Sequence, residues 1–126
     1  MKHHKVYFPK KIIIFASEKI LMLMKVVMDW MKSLCPLSDE TVRELEACVT
    51  PCRFPKRHLL VREGIYCKYA YFIEKGMTRS YWLVDGEEFT TSFAYDGCIV
   101  FSMDELYYNQ VSQEFVETLE EVEAYR

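Results

Sequence analysis

Three neighbouring stretches of the chain decide its fold: residues 54–64 (FPKRHLLVREG), residues 69–81 (YAYFIEKGMTRSY) and residues 85–89 (DGEEF). Apolar and polar side chains alternate through much of these stretches with a period of two, which is typical of half-buried strands. Gly64 and Gly76 each follow a strand pattern and let the chain reverse where a Cβ atom would clash. The sequence here therefore predicts short antiparallel strands joined by turns.

The dipeptide Asp85-Gly86 is the strongest signal in the chain for a two-residue hairpin loop, and it sets the register of two strands. The cross-strand pairs that follow from this loop are Val84 with Glu87, Trp82 with Phe89 and Thr78 with Phe93. Cross-strand partners lie on the same face of a sheet. The register therefore predicts one face that belongs to the core, formed by Trp82, Phe89 and Phe93. The opposite face is predicted to hold Arg79, Tyr81 and Ser92.

Two helices are predicted before the strands. Residues 19–34 have helical periodicity, with an apolar stripe formed by Ile20, Leu23, Met24, Val27, Met28, Met31 and Leu34. We expect this stripe to pack on its own domain, and the alternative is a stripe that contacts a partner helix or a membrane surface. A second helix begins after the N-cap residue Ser38 and is stopped by Pro51.

The remaining residues, after Pro51, are predicted to form short strands. These strands are expected at residues 58–63, 70–75, 77–84, 87–94, 111–119 and 122–125. Two helices followed by six short strands predict an α+β chain that is mainly β, built as a small β-sandwich or β-roll. We divide the chain into an N-terminal extension with the amphipathic helix, residues 1–35, and a β-roll domain, residues 36–126.

Charge is unevenly distributed along the chain, whose net charge is −3. Residues 1–35 carry 7 basic and 2 acidic residues, whereas residues 85–126 carry 11 acidic residues and one basic residue, Arg126. Because an acidic surface repels the phosphate backbone, residues 85–126 are unsuited to bind nucleic acid on their own. The apolar run at residues 12–17 is too short to span a membrane, so we expect no membrane partner.

The cysteines and histidines argue against several classes of site. The chain has 5 cysteines, an odd number without a Cys-x-x-Cys pair, which favours a reducing cytoplasm over a secreted disulfide framework. His3, His4 and His58 do not form the His-x-His pattern of a metal-binding cupin, and neighbouring carboxylates on a strand point to opposite faces. We therefore predict that the chain is not an enzyme and holds no metal or other cofactor, with a cupin-like enzyme as the least favoured alternative.

The three stretches quoted first, with the helix from Ser38, resemble the cyclic-nucleotide-binding domain of the Crp/Fnr transcription regulators. The resemblance covers about residues 36–125 and rests on a strand ending in Glu-Gly, an aromatic strand ending in Lys-Gly, and the hairpin that follows. It implies a double-stranded β-helix, or jelly-roll, fold. It also implies a ligand site in which a short helix supplies an acid for the ribose hydroxyl and an arginine pairs with the cyclic phosphate.

This resemblance places the ligand cassette in residues 101–115 (FSMDELYYNQVSQEF), which begin with Phe101 and Ser102. Either Asp104 or Glu105 stands at the acid position. Gln113 falls where the family has its arginine, and Glu114 lies beside it. A neutral amide next to a carboxylate cannot replace a bidentate guanidinium, so we expect no binding of cyclic AMP. The alternative base for a phosphate or other anion is Arg79.

Two hypotheses of different classes follow. The first is the effector-sensing domain of a Crp/Fnr-type regulator, a homodimer that binds a small neutral or cationic effector. Such a regulator would contact DNA only through a C-terminal helix-turn-helix domain, which is not in this chain. The second is a β-roll without a ligand that serves interaction and dimerisation through residues 19–34.

Overall fold

Eight short strands form two four-stranded sheets within the part of the chain that the computed structural model describes, which is residues 22, 25, 27–29 and 31–126. The strands are β1 Pro51–Phe54, β2 Leu59–Val61, β3 Tyr71–Lys75, β4 Thr78–Val84, β5 Glu87–Ala94, β6 Ile99–Val100, β7 Phe115–Thr118 and β8 Val122–Tyr125. One sheet has the order β1-β8-β3-β6 and the other the order β2-β7-β4-β5, with every neighbouring pair antiparallel. The fold is the predicted one, mainly β with a few helices.

The chain divides into two units, one ending at Cys48 and the other spanning Val49–Arg126. In the first unit, helix α1 spans Asp39–Cys48, and the backbone N–H of Thr41 donates to the hydroxyl of Ser38 at 3.1 Å. Ser38 therefore caps the helix as predicted. Residues 31–34 are helical too, but Ile20, Leu23 and Met24 of the predicted apolar stripe lie outside the described residues. The domain boundary between residues 35 and 36 stays a prediction.

The core of the second unit consists mainly of aliphatic side chains from both sheets. Its buried members are Leu60, Val61, Tyr71, Ile73, Val100, Val116, Val122 and Ala124. These residues come from strands whose sequences alternate as expected of half-buried β structure. The two sheets therefore enclose one continuous apolar core.

The hairpin loop has the predicted geometry. Asp85 and Gly86 both have positive φ, 51° and 81°, as a type I′ turn requires. Val84 pairs with Glu87 in the register of β4 and β5, and Trp82 pairs with Phe89, as predicted. Farther from the loop the register shifts by one residue, because Tyr81 pairs with Thr90 while Ser80 pairs with Ser92.

This β-bulge leaves Thr91 unpaired and corrects the predicted faces. Thr78 is opposite Ala94 rather than Phe93, and Phe93 is instead opposite Arg79. Ser92, opposite Ser80, accordingly shares the face of Thr78, and not that of Arg79 and Tyr81. The extra residue exchanges the faces of every side chain that follows it on β5.

The predicted aromatic core of the hairpin is wrong. Trp82, Phe89 and Phe93 are exposed by 52%, 52% and 55%, whereas Tyr81 is buried at 8%. Strand β7 pairs with β4 only from Thr78 to Tyr81, so the end of the hairpin beyond Tyr81 has no third strand beside it. Trp82 and Phe89 lie in this two-stranded end and stay about half exposed, whereas the bulge places Phe93 on the face of Arg79.

A close approach of two backbones explains the glycine that ends β3. Gly76 has φ +116°, and a Cβ atom there would lie 2.7 Å from the carbonyl oxygen of Glu121. The N–H of Gly76 donates to Oδ1 of Asp96 at 2.9 Å. A glycine is therefore required at position 76, where the β3–β4 turn passes the β7–β8 turn.

Candidate functional site

The cassette identified in the sequence contains a short helix, α2, which spans Met103–Tyr108. Ser102 is its N-cap, with φ −82° and ψ 114°, and its hydroxyl accepts the N–H of Glu105 at 3.3 Å. The helix ends at Asn109, which adopts the left-handed conformation, and the N–H of Asn109 donates to the carbonyl of Glu105 at 3.0 Å. Both ends of the helix are therefore fixed by residues of the cassette.

The two candidate acids are held differently. Oδ2 of Asp104 accepts the backbone N–H of Gln113 at 2.9 Å, so this carboxylate closes the loop that follows α2. Oε2 of Glu105 is buried and has no hydrogen-bond partner among the described residues. Burying a hydrogen-bond acceptor without a donor costs free energy. Glu105, unlike Asp104, therefore has an unsatisfied buried acceptor.

The charge of Glu105 acts on the thiol of Cys67, which is distant in the chain, a relationship that the sequence does not signal. The Sγ atom of Cys67 lies 3.3 Å from the carbonyl of Tyr69 and 3.7 Å from that of Leu60, the acceptors of its weak S–H bonds. The pKa of the Cys67 thiol is raised, mainly by burial and further by the negative charge of Glu105. The protonated thiol is therefore the form present at neutral pH.

The end of the cassette is fixed to the loop after β2. Ser112 is buried, its carbonyl accepts the N–H of Gly64 at 2.8 Å, and its N–H donates to the carbonyl of Ile65 at 3.3 Å. The Ser112 hydroxyl also donates to the carbonyl of Glu114 at 3.0 Å and accepts the N–H of Glu114 at 3.1 Å. This segment is therefore a fixed support for the positions of Gln113 and Glu114.

Neither candidate at the phosphate position provides a positive charge. Gln113 is exposed, and its backbone N–H is already used by Asp104. Oε1 of Glu114 accepts the hydroxyl of Thr91 at 2.7 Å, a contact made by the bulge residue of β5. The cassette thus combines three carboxylates, of Asp104, Glu105 and Glu114, and residues 85–125 contain no Lys or Arg.

The alternative base, Arg79, is engaged on the sheet and not with the cassette. Its Nη2 atom pairs with the carboxylate of Glu88 at 2.5 Å and with that of Glu117 at 3.5 Å. The guanidinium also lies over the ring of Tyr81, 4.3 Å from its centroid. The hydrogen bond and charge of Glu88 raise the pKa of Arg79. Register places all these partners on the face opposite Thr78, so the structure does not bring Arg79 together with the other candidate residues.

Other site types find little support in the described residues. Within them, no group of three or more His, Cys, Asp or Glu residues could hold a metal ion. His58 stacks on Phe54 with ring centroids 4.7 Å apart, while His3 and His4 lie outside the described residues. Among the described residues, no helix has the length and apolar character needed to cross a membrane.

One cleft, of about 280 Å³, lies apart in sequence from the cassette. It is lined by Arg53, Lys75, Glu120, Glu121 and Glu123. Arg53 forms ion pairs with Glu121 and Glu123, at 2.5 and 3.8 Å, which use part of its charge within the cleft. The cleft includes no predicted site residue, so it gives no support to a ligand site there.

Solved structures with the same fold are cyclic-nucleotide-binding domains and sensor domains. The sensor domain of the transcriptional regulator DNR from Pseudomonas aeruginosa has a TM-score of 0.67 and 17% identity, over 82% of this chain and 72% of that one. The regulatory subunit of a cAMP-independent protein kinase A from Trypanosoma brucei, as a mutant bound to cAMP, has a TM-score of 0.65 and 16% identity, over 85% and 40%. The EAL enzyme Bd1971 in its cGMP-bound form has a TM-score of 0.54 and 31% identity, over 60% and 20%.

The chain thus spans only a fifth of the EAL enzyme and two-fifths of the kinase subunit. The sequence matches no protein-family model and no curated protein. The likeness in structure establishes the fold, which is that of cyclic-nucleotide-binding domains. Among the neighbours described, the kinase regulatory subunit and the DNR sensor domain cover most of this chain.

Proposed function

We propose that this chain is the effector-sensing domain of a Crp/Fnr-type transcription regulator and that its effector is a small neutral or cationic molecule, not cyclic AMP. The observation that carries the proposal is the charge of the cassette. The cassette contains three carboxylates, of Asp104, Glu105 and Glu114, and no basic residue, and Arg79 is bound to glutamates elsewhere.

Recognition of a cyclic phosphate needs a donor with positive charge at the position of Gln113. A hydrogen bond to a charged group contributes roughly 1.5–3 kcal/mol, so the loss of a bidentate pair weakens binding by roughly two decades or more. The carboxylate of Glu114 adds repulsion at the same place. The kinase subunit described as cAMP-independent has the same fold, so this fold alone does not imply a response to cyclic AMP.

Glu105 is the residue that we expect to bind the effector. Its buried Oε2 atom has no partner among the described residues and would accept a hydrogen bond from a hydroxyl or ammonium group of the effector. In this role Glu105 binds ligand, while Asp104, Ser102 and Ser112 hold the loop in shape. The chain itself carries out no reaction in this proposal and requires no metal or cofactor.

Isothermal titration calorimetry with cyclic AMP and cyclic GMP tests the effector class. We expect no binding of either nucleotide at micromolar concentration, and a dissociation constant below about 10 μM for either one would overturn this part of the proposal. A mass measurement by sedimentation is informative as well. A stable dimer that binds no small molecule in a metabolite screen would favour the ligand-free module instead.

The regulator type is tested separately from the effector. We propose a cytoplasmic location because the five cysteines are free, which suits a reducing compartment. We expect the chain alone not to bind DNA with sequence specificity, since residues 85–126 carry 11 acidic residues and one basic residue. A helix-turn-helix encoded directly after Arg126 in the genome would support the regulator type, and a gel shift that survives about 200 mM salt would contradict the expectation for DNA.

A further inference from the structure

Strand β5 is an edge strand with an open side. It has one neighbour in its sheet, β4, and it is among the longest strands described, with 8 residues from Glu87 to Ala94. All of its residues except Ala94 are exposed. It contains no proline or lysine. Of the other features that protect an edge strand, it has the bulge at Thr91, which limits a regular added ladder to Glu87–Thr90, and two glutamates, which disfavour an acidic partner.

The peptide groups on this open side are identified by the hairpin register. A two-residue loop makes Val84 and Glu87 a hydrogen-bonded pair, and such pairs alternate along an antiparallel ladder. The N–H and C=O groups of Glu88 and Thr90 therefore point away from β4. Within the described residues, no hydrogen bond from the open side of β5 is formed. Four polar backbone groups are thus available to an added strand.

The two faces of the hairpin differ in character at this edge. On one face, Trp82 is directly opposite Phe89, both exposed by 52%, and Val84 is next along the strand, opposite Glu87 at the loop end. On the other face, the carboxylates of Glu88 and Glu117 share the single guanidinium of Arg79, which leaves a net negative charge. A strand added to β5 would place alternate side chains on these two faces, apolar on the first and basic on the second.

The negative charge of this edge indicates which kind of chain can supply the added strand. Because residues 85–125 contain no Lys or Arg, two copies of this edge would bring acidic surfaces together. A partner with basic residues instead gains both attraction and specificity. We propose that the open side of β5 binds an extended segment of a partner protein, in which apolar and basic residues alternate, by strand addition.

The probe for this surface is an acetylated and amidated octapeptide of four Lys-Val repeats, with four Glu-Val repeats as its control. A Trp30→Phe background leaves Trp82 as the one tryptophan, so its fluorescence reports the hairpin. We expect a saturable change with the lysine peptide that weakens as salt is raised from about 50 to about 300 mM, and none with the glutamate peptide. Amide hydrogen exchange should slow at Glu88 and Thr90 on binding.

Three variants separate this surface from others. Thr90→Pro removes an N–H on the open side, and Trp82→Ala removes the aromatic face, so each should raise the dissociation constant of the lysine peptide at least about tenfold. Trp82→Ala is read by hydrogen exchange because it removes the fluorophore. Leu34→Ala, which changes an exposed side chain outside the β-roll, should leave binding unchanged.

Several results would overturn the proposal. One is the absence of a saturable change with the lysine peptide up to about 1 mM. Another is equal binding of both peptides, or binding that slows no amide exchange at Glu88 and Thr90. A doubled mass in sedimentation that Thr90→Pro abolishes would assign the edge to a second copy of the chain instead. None of these results bears on the cassette, so the proposed function is tested independently.

Discussion

Oδ2 of Asp104 accepts a hydrogen bond from the backbone N–H of Gln113, at 2.9 Å. This bond joins the first acid of α2 to Gln113, which stands at the phosphate position in the proposed site. The carboxylate of Asp104 therefore holds the conformation of the loop. Glu105 is the acid with a buried oxygen that has no hydrogen-bond partner among the described residues. The loop after α2 is therefore closed by a hydrogen bond within the cassette, which contains three carboxylates and no basic residue.

The two neighbouring aromatic residues of β4 should respond very differently to truncation. Tyr81 is buried and stacks on Phe115, with ring centroids 5.1 Å apart, so Tyr81→Ala should cost about 3–5 kcal/mol of unfolding free energy. Trp82 is more than half exposed, and Trp82→Ala should cost about 1 kcal/mol or less. Urea denaturation of both variants measures the difference. Equal losses would show that the end of the hairpin is buried.

The sequence predicts this hairpin well near its loop and poorly away from it. Asp85-Gly86 fixes the local register because both residues accept positive φ. The bulge at Thr91 has no such signal, since Thr90-Thr91 is ordinary strand sequence, and the shift moves Phe93 to the other face. Trp82 lies in the part of β4 that extends beyond the end of β7. The alternation of residues within β4 does not show where β7 ends.

In the candidate site, too, the sequence predicts features that depend on neighbouring residues and misses contacts between segments that are distant in sequence. The resemblance predicts the cassette at residues 101–115, which stays a prediction, and the N-cap role of Ser102 depends on residues within one helical turn. The contact of Thr91 with Glu114 and the effect of the Glu105 charge on Cys67 join segments distant in sequence. These contacts depend on sheet order and a bulge, so the pattern of residues around α2 does not predict them.

Two facing threonines provide a test of hydrogen bonding in the core. Thr78 pairs with Thr118 across β4 and β7, and both side chains are fully buried. The Thr78 hydroxyl has no partner among the described residues, whereas that of Thr118 donates to the carbonyl of Pro55 at 2.7 Å and accepts the N–H of His58 at 2.8 Å. Thr78→Val should be neutral or stabilising by up to about 1 kcal/mol, and Thr118→Val should cost about 1–3 kcal/mol.

Thermal or urea unfolding of these two variants distinguishes the roles of the hydroxyls. Since the substitutions are identical in shape and both sites are buried, volume and β propensity cancel in the comparison. A loss at Thr78 as large as that at Thr118 would mean that the hydroxyl of Thr78 has a hydrogen-bond partner.

A matched pair of glycines tests the close approach of two turns. Gly76→Ala should cost several kcal/mol, because its Cβ atom would lie 2.7 Å from the carbonyl oxygen of Glu121 in addition to the strain of positive φ. Gly64→Ala should cost only about 1 kcal/mol, since φ is +77° but nothing lies within 4 Å of the added atom. Similar losses in unfolding free energy would contradict the tight packing at Gly76.

The second unit should lose stability at alkaline pH. Burial raises the pKa of the thiols of Cys52 and Cys67 and of the Tyr71 hydroxyl. The unfolded chain therefore loses these protons first, and the free energy of unfolding falls as pH rises above about 8.5. Urea denaturation at about pH 7 and about pH 10 measures this fall. The double variant Cys52→Ala/Cys67→Ala should reduce it.

The control for this pH dependence is Cys35→Ala/Cys48→Ala, which removes two exposed thiols. This variant should keep the pH dependence of the unmodified chain. A fall in stability that is the same in both double variants would assign the effect to groups other than the buried thiols.

The charge of the cassette at Gln113 and Glu114 is the central claim, and calorimetry of a double variant tests it most directly. Gln113→Arg/Glu114→Gln supplies a guanidinium and removes the neighbouring negative charge, while glutamine keeps an acceptor for Thr91. Gln110→Arg/Glu114→Gln has the same net charge with the arginine at another exposed position, and is its control. If the cassette excludes cyclic AMP by charge, the first variant should bind it at least about a hundredfold more tightly than the unmodified chain, and the control should not. Tight binding of cyclic AMP by the unmodified chain, or no gain in the first variant, would contradict the claim.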